Sequence, residues 1–431
     1  MNHSFDTYRL YSNEKNFTYS VRVRVRMKEE IDINILRHAA NVAIKRYPYF
    51  AVKVVLGEDG GYDFVPNKND VVVMETRSKL PLLGSIEINK HLLYIDCSGR
   101  DIYFNISHSM CGGKGLMPWV MTNVYQYVVE KYNVNPDAPG IRKPDSELLP
   151  GEDTEPSVSM LLNDEPIYKY KNKKPTIMAF DYLNGLYNPF MRNPNYYVFT
   201  FEQSDIMKFV KENDASVASF FILCVAKSLD KILPKKCKVI GGEIAHNPAA
   251  DIGIPNTHCD FLTHAHIDYD RDYFKYDMEK LGTLTRSQII LQIDPTVVSN
   301  ELRQRFEFLE ALDNIQGIKN KRDYYAKKDP ALSKEAQHGT YIVNYTGRLD
   351  WGEVANYVES YVIIVEGHLL LEITSMADKI FVSFMQLIKT SKYVNALGNV
   401  MDEIGIPYKI EGPFEKNIVK HELPECNLKP T

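Results

Sequence analysis

The chain has 431 residues, 44% of them hydrophobic and 25% charged, with 51 Lys and Arg against 56 Asp and Glu for a net charge of −5. These proportions belong to a globular protein too long for one ordinary core, so two domains are expected. They exclude the strongly basic surface of a nucleic-acid or anionic-membrane binder, and no uninterrupted apolar run approaches the ~20 residues of a membrane span. Six scattered cysteines with no Cys-x-x-Cys point to a reducing compartment. Residues 1–6 lack the basic and apolar regions of a secretory leader, so a cytoplasmic location is expected.

Residues 19–27 alternate valine with arginine, which predicts a strand with one buried face. Asp32 is placed to cap a helix through Leu36, Ala39, Ala43 and Tyr47, ended by Pro48. Strands follow near 50–56 and 71–76. Two apolar runs, 92–96 and 102–106, flank Cys97-Ser98-Gly99-Arg100-Asp101 and read as a hairpin. After Ile106-Ser107-His108-Ser109-Met110-Cys111-Gly112-Gly113-Lys114-Gly115, the residues Leu116, Val120, Val124 and Val128 recur every four positions. That spacing predicts one buried stripe of a helix.

Prolines punctuate residues 133–195, from Pro136 to Pro194, as in a crossover segment wrapped over the surface. Beyond it, 196–201 reads as a strand, and Ser204 and Ser216 as helix caps. Residues 287–293 fit either helix or strand, while 300–318 reads as helix with Leu302, Phe306, Leu309 and Leu312 on one side. Runs 361–366 and 368–374 around Gly367 give a hairpin signal, followed by a strand at 379–386 and a helix at 391–404.

His108 stands between a predicted strand and a predicted helix, a junction held by rigid elements and facing a cleft. An imidazole that titrates near neutrality suits general-base work in such a place. Cys111 lies three residues on, but that spacing on a loop does not establish a Cys–His pair. The glycine-rich stretch is not a phosphate loop either, because His108 occupies the required first glycine and Gly115 the required hydroxyl. In His264-Ala265-His266-Ile267-Asp268-Tyr269-Asp270 an extended chain aligns His264, His266, Asp268 and Asp270 on one face, a set that suits zinc or iron. The alternative is a solvent-facing strand with Ala265, Ile267 and Tyr269 inward. No cysteine pair or glutamate-histidine helix motif supports a metal, so none is assigned.

The segment from Ile106 to Gly115, with its strand and helix context, resembles the His-x-x-x-Asp-Gly region of the chloramphenicol acetyltransferase-like superfamily. That group includes condensation domains, plant BAHD acyltransferases and bacterial alcohol acetyltransferases. His108 matches the family histidine and Gly113 the final glycine, while Gly112 stands where the family has aspartate. The entry stretch Met27-Lys28-Glu29-Glu30-Ile31-Asp32, the helix to Tyr47-Pro48-Tyr49-Phe50 and the late Val343-Asn344-Tyr345-Thr346-Gly347-Arg348-Leu349-Asp350-Trp351-Gly352 fit the same group.

The resemblance implies an α/β (α+β) fold of two lobes, each a mixed sheet with packed helices, and a tunnel at their interface. The lobes would be 1–150 and 195–431, joined by a Pro-rich crossover at 151–194. It implies acyl transfer from a thioester, acyl-CoA or acyl-carrier protein, to a small alcohol or amine, with His108 as general base and no covalent acyl-enzyme. No permanently bound cofactor is implied. Ser107 stands where condensation domains carry an additional histidine, which favours a hydroxyl acceptor over amide formation. Asn344, Tyr345 and Thr346 are the implied substrate- and oxyanion-positioning residues, and Ser107, Gly112 and Gly113 shape the motif loop. The family aspartate pairs with an arginine, so with Gly112 either that arginine is gone or another group meets it; Arg22, Arg24 and Arg26 share one strand face. Alternative readings are an amide-forming condensation enzyme and a non-catalytic binding homologue.

Overall fold

The computed structural model describes residues 7–12, 19–161, 192–328 and 339–424. The leader reading at 1–6, residues 162–191 of the Pro-rich crossover and Cys426 lie outside the described residues. A 3-10 helix, Tyr8–Ser12, precedes strand β1 (Ser20–Met27). Helix α1 (Ile33–Ala43) starts at the predicted cap, where the Asp32 carboxylate accepts from Asn34 N at 2.9 Å and Ile35 N at 3.2 Å. Those two donors would otherwise lack partners at a helix start. Strands β2 (Val52–Leu56) and β3 (Tyr62–Pro66) form a separate hairpin, and β4 (Val73–Glu75) is short. The hairpin predicted around Gly99 is β5 (Leu93–Ser98) with β6 (Asp101–Ser107), which leads into α2 (Gly113–Tyr132).

Two expectations change here. Helix α2 is buried on nearly every side rather than along one stripe, with Trp119, Asn123 and Tyr127 as covered as Val120 and Val124. It packs against α1, while Trp119 meets Phe104 of β6 edge to face at 5.4 Å. A helix enclosed this way carries apolar residues all round. Strand β1 is likewise covered on both faces. Arg22 donates to both Asp96 oxygens at 2.9 and 2.8 Å and stacks 4.0 Å from the Tyr103 ring. Arg26 pairs with Asp101 at 2.8 Å, and Arg24 lies 4.8 Å over the Phe414 ring.

The later elements are β7 (Arg192–Glu202), α3 (Gln203–Glu212), α4 (Val217–Ile232), β8 (Val239–His246), β9 (Thr263–Asp270), α5 (Met278–Gln292), α6 (Pro295–Asp313) and α7 (Ile318–Lys328). They continue with β10 (Tyr341–Arg348), β11 (Val358–Val365), β12 (Leu370–Met376), β13 (Lys379–Ile388), α8 (Lys392–Glu403) and β14 (Lys409–Glu415). Ser216 caps α4 in a reciprocal box with Ser219, whereas Ser204 lies one residue inside α3 rather than capping it. The ambiguous 287–293 belongs mainly to α5. Its Gln288 and Gln292 amides bond the backbone of Asp268 and His266, which covers the outer edge of β9.

Two mixed sheets result. One runs β11-β1-β6-β5-β4 and the other β14-β7-β13-β12-β10-β8-β9. The hairpin expected around Gly367 does not form. Strand β11 instead pairs antiparallel with β1, with Val23 opposite Ile363, and β12 lies between β10 and β13. The chain therefore returns from the second sheet to complete the first. Each sheet has its own apolar core, and the fold is α/β with two lobes. Among the described residues no helix is long and apolar enough to cross a membrane.

Candidate active site

His108 follows directly on β6, and its backbone N–H donates to the Tyr19 carbonyl at 2.8 Å, which prolongs the β1–β6 pairing by one residue. Side chains alternate across a strand, so Ser107 and His108 part company here. Ser107 is fully buried, and its hydroxyl meets Ser109 Oγ and His421 Nε2, both at 2.7 Å. Burial pushes the His421 imidazole down to about 3. His108 turns the other way, 22% of its side chain exposed, and lines a cavity of about 200 Å³.

The ring is held through Nδ1, which lies 2.9 Å from the Cys111 carbonyl oxygen and 3.2 Å from Asp260 Oδ2. A carbonyl only accepts, so Nδ1 carries a proton, and in the neutral ring the lone pair falls on Nε2. That is the tautomer of a base. Cys111 is buried and its thiol is pushed well up, first by burial and then by Asp260 and Cys259. A thiol in that state is a poor nucleophile.

Asp260, on the loop before β9, was not legible as a site residue. Its side chain is 2% exposed and lies 2.6 Å from Arg9 Nε. Burial pushes the carboxyl up, but Arg9 and then His108 outweigh it and hold it below the usual carboxylate range. The Asp260 loop rests on the first turn of α2. A Cβ at Gly112 would come 3.2 Å from Asp260 Oδ1, and one at Gly115 would come 2.3 Å from the His258 carbonyl oxygen. Only glycine at 115 allows that approach. None of Arg22, Arg24 and Arg26 reaches Gly112; their partners are those given above.

The rest of the cavity is lined from both sheets and the segments around them: Ser20 of β1 and Val365 of β11 on one side, Asn344 of β10 and Glu372 of β12 on the other, with Tyr8, Arg9, Tyr19 and Arg305 beside them. Asn344 Nδ2 donates to Glu372 Oε1 at 2.7 Å. Burial raises the Glu372 carboxyl to about 7, with the Asn344 bond opposing. Of the three residues expected on β10, Asn344 lines the cavity. Thr346 presents its methyl to the α2 start, 3.8 Å from where a Gly113 Cβ would stand, and its hydroxyl donates to the Ile373 carbonyl at 3.3 Å. Tyr345 turns its hydroxyl to Ser375 Oγ at 3.4 Å.

The stretch 264–270 is strand β9, with Ala265, Ile267 and Tyr269 in the second core. His266 Nδ1 lies 3.5 Å from a Glu243 carboxylate oxygen, and burial pushes the His264 imidazole down to about 4. Among the described residues no group of three or more His, Cys, Asp or Glu is placed to hold a metal.

No family model matches the sequence, and no curated protein matches it. Solved structures do. Polyketide synthase associated protein 5 from Mycobacterium tuberculosis superposes with a TM-score of 0.59 at 12% identity, over 93% of this chain and 96% of that one. TRI101 of F. graminearum, solved with coenzyme A and T-2 mycotoxin, gives 0.60 at 10% identity over 93% and 98%. TRI3 trichothecene 15-O-acetyltransferase from Fusarium sporotrichioides gives 0.59 at 12% over 92% and 94%. The shared architecture is the two-lobed chloramphenicol acetyltransferase-like fold.

Proposed function

We propose that the chain is an acyltransferase that moves an acyl group from a thioester to a hydroxyl acceptor, with His108 as general base. The observation that carries this reading is the His108 ring itself. Its Nδ1 is tied to a carbonyl, and it lines a cavity to which both sheets contribute. The acceptor O–H would give its proton to Nε2 as its oxygen attacks the thioester carbonyl. The tetrahedral adduct then expels the thiolate, and the imidazolium returns the proton to sulfur. A base placed this way contributes ~10²–10⁴ in rate, and holding both substrates together supplies much of the remainder.

The lobes would be 1–150 and 195–431 with the crossover 151–194 between them, and substrates would enter through a tunnel at the lobe interface. The donor is acyl-CoA or an acyl-carrier thioester. Neighbours solved with coenzyme A and a toxin, and one named as an O-acetyltransferase, support coenzyme A and a hydroxyl acceptor. Asn344 is the first choice for substrate positioning and Thr346 for the oxyanion, where one such donor is worth ~2.7–4 kcal/mol.

The test is thiol release from acetyl- and longer acyl-CoA with panels of alcohols and amines. Turnover with alcohols above amines is expected. Turnover confined to amines would replace the reading with an amide-forming one. Tight acyl-CoA binding without thiol release from any pair would favour a non-catalytic role.

A further inference from the structure

We infer that Asp260, paired with Arg9, is the positioning carboxylate of His108, supplied by the loop before β9 into the space left by the glycine at 112. The inference rests on the proposed role of His108 as a base. Three independent distances carry it. Asp260 Oδ2 stands 3.2 Å from His108 Nδ1. Arg9 Nε stands 2.6 Å from the same oxygen. A Cβ at residue 112 would lie 3.2 Å from Asp260 Oδ1. An aspartate on the motif loop and Asp260 therefore compete for one volume, and this chain fills it from the loop before β9.

The loop is held there by several contacts. Gly112 N–H donates to the His258 carbonyl at 3.3 Å. His258 in turn stacks on Tyr49 at 4.0 Å and is anchored to the Glu152 carbonyl through Nδ1 at 2.9 Å. The carboxylate also sits at the α2 start, where the helix dipole favours negative charge.

The chemistry follows from charge. When Nε2 takes the acceptor proton, the ring becomes a cation, and the carboxylate beside Nδ1 stabilises it. Arg9, lying 5.2 and 5.0 Å from the Tyr8 and Tyr19 ring centres, keeps Asp260 ionised so that it does not take the proton itself. The other titratable or charged groups around Asp260 are Arg305, His264 and the Cys111 and Cys259 thiols. Asp260 acts through His108, so it is a positioning residue.

The experiment compares wild type, Asp260→Asn, Asp260→Gly and the exchange Gly112→Asp/Asp260→Gly. Each variant's unfolding midpoint is recorded first. Thiol release from acetyl-CoA is then followed against pH, and the His108 ring nitrogens are followed by 15N NMR, which needs no turnover. Asp260→Asn is expected to slow release by on the order of 10², less than the ~10⁴ of a triad aspartate, because the Cys111 carbonyl still holds the tautomer. Its acid-side midpoint should move to lower pH by about 1 unit. The exchange should recover most of what Asp260→Gly loses. An unchanged midpoint and unchanged ring signals in Asp260→Asn, or an exchange no better than Asp260→Gly, would overturn the inference. If wild type releases no thiol, the proposed function fails while the ring signals still decide the role of Asp260. Should Asp260→Asn fail to fold, the exchange set against Asp260→Gly decides.

Discussion

Two buried carboxylate–guanidinium pairs lie on either side of His258, and they are built differently. Glu152 uses both oxygens fully. Arg46 grips it through two bonds of 2.9 Å, Arg142 adds a third contact of 2.9 Å, Tyr49 donates at 2.5 Å and Leu149 N–H at 2.8 Å. Asp260 has Arg9 at 2.6 Å and His108 at 3.2 Å, yet neither of its oxygens makes a well-directed hydrogen bond. A saturated buried carboxylate serves the architecture, since every lone pair is already committed. An unsaturated one beside a base is ready to answer a new charge. The pairs are also joined: the Glu152 carbonyl accepts the N–H of His258 at 3.1 Å, two residues before Asp260.

The largest effect should come from the saturated pair. Glu152→Ala strands Arg46 and Arg142 and should cost ~3–5 kcal/mol in denaturant unfolding. A loss under about 1 kcal/mol would erase the contrast between the two sites.

Acid sharpens the same contrast. The Glu152 carboxyl is pushed up by burial, but its Arg46 and Tyr49 bonds prevail and bring it down to about 2. A depressed carboxyl contributes stability that is whole above the ordinary glutamate value of 4.5 and is lost as pH falls toward about 2. Wild-type stability should therefore decline across that window, and Glu152→Gln should lack this part of the decline.

Gly115→Ala should cost ~1–3 kcal/mol by overpacking against the His258 carbonyl. It should slow thiol release as well, because it lifts the Asp260 loop.

Glu372→Gln should act with the opposite sign. Its carboxyl is raised to about 7, so the folded state binds a proton that the unfolded state has lost above 4.5. Wild type loses stability as pH rises between those values. The variant should gain about 3 kcal/mol over wild type above pH 7 and nothing below 4.5. Thermal unfolding across pH measures both arms.

Local grammar carried much of the fold. The Asp32 and Ser216 caps and the turn at Gly99 are short-range signals, and the structure places elements where they predict. What failed was non-local. Residues 361–374 look like a hairpin because two apolar runs flank a glycine, but β11 leaves to pair with β1, a choice set by the other sheet. Strand β14 escaped notice because Lys409–Glu415 is mostly exposed and carries Gly412-Pro413, so it lacks an apolar alternation. At the site, His108 was legible from its motif and its place between strand and helix. Asp260 was not, since Cys259-Asp260-Phe261 has no pattern of its own. Its one trace was the missing side chain at 112, which left open whether the arginine was gone or another group met it.

Proton removal by His108 during acyl transfer is read out by thiol release from acetyl-CoA, compared between wild type and His108→Ala at equal folded fraction. The predicted result is a loss of at least ~10² in the variant. Equal rates in the two proteins would leave His108 with no part in the proton transfer.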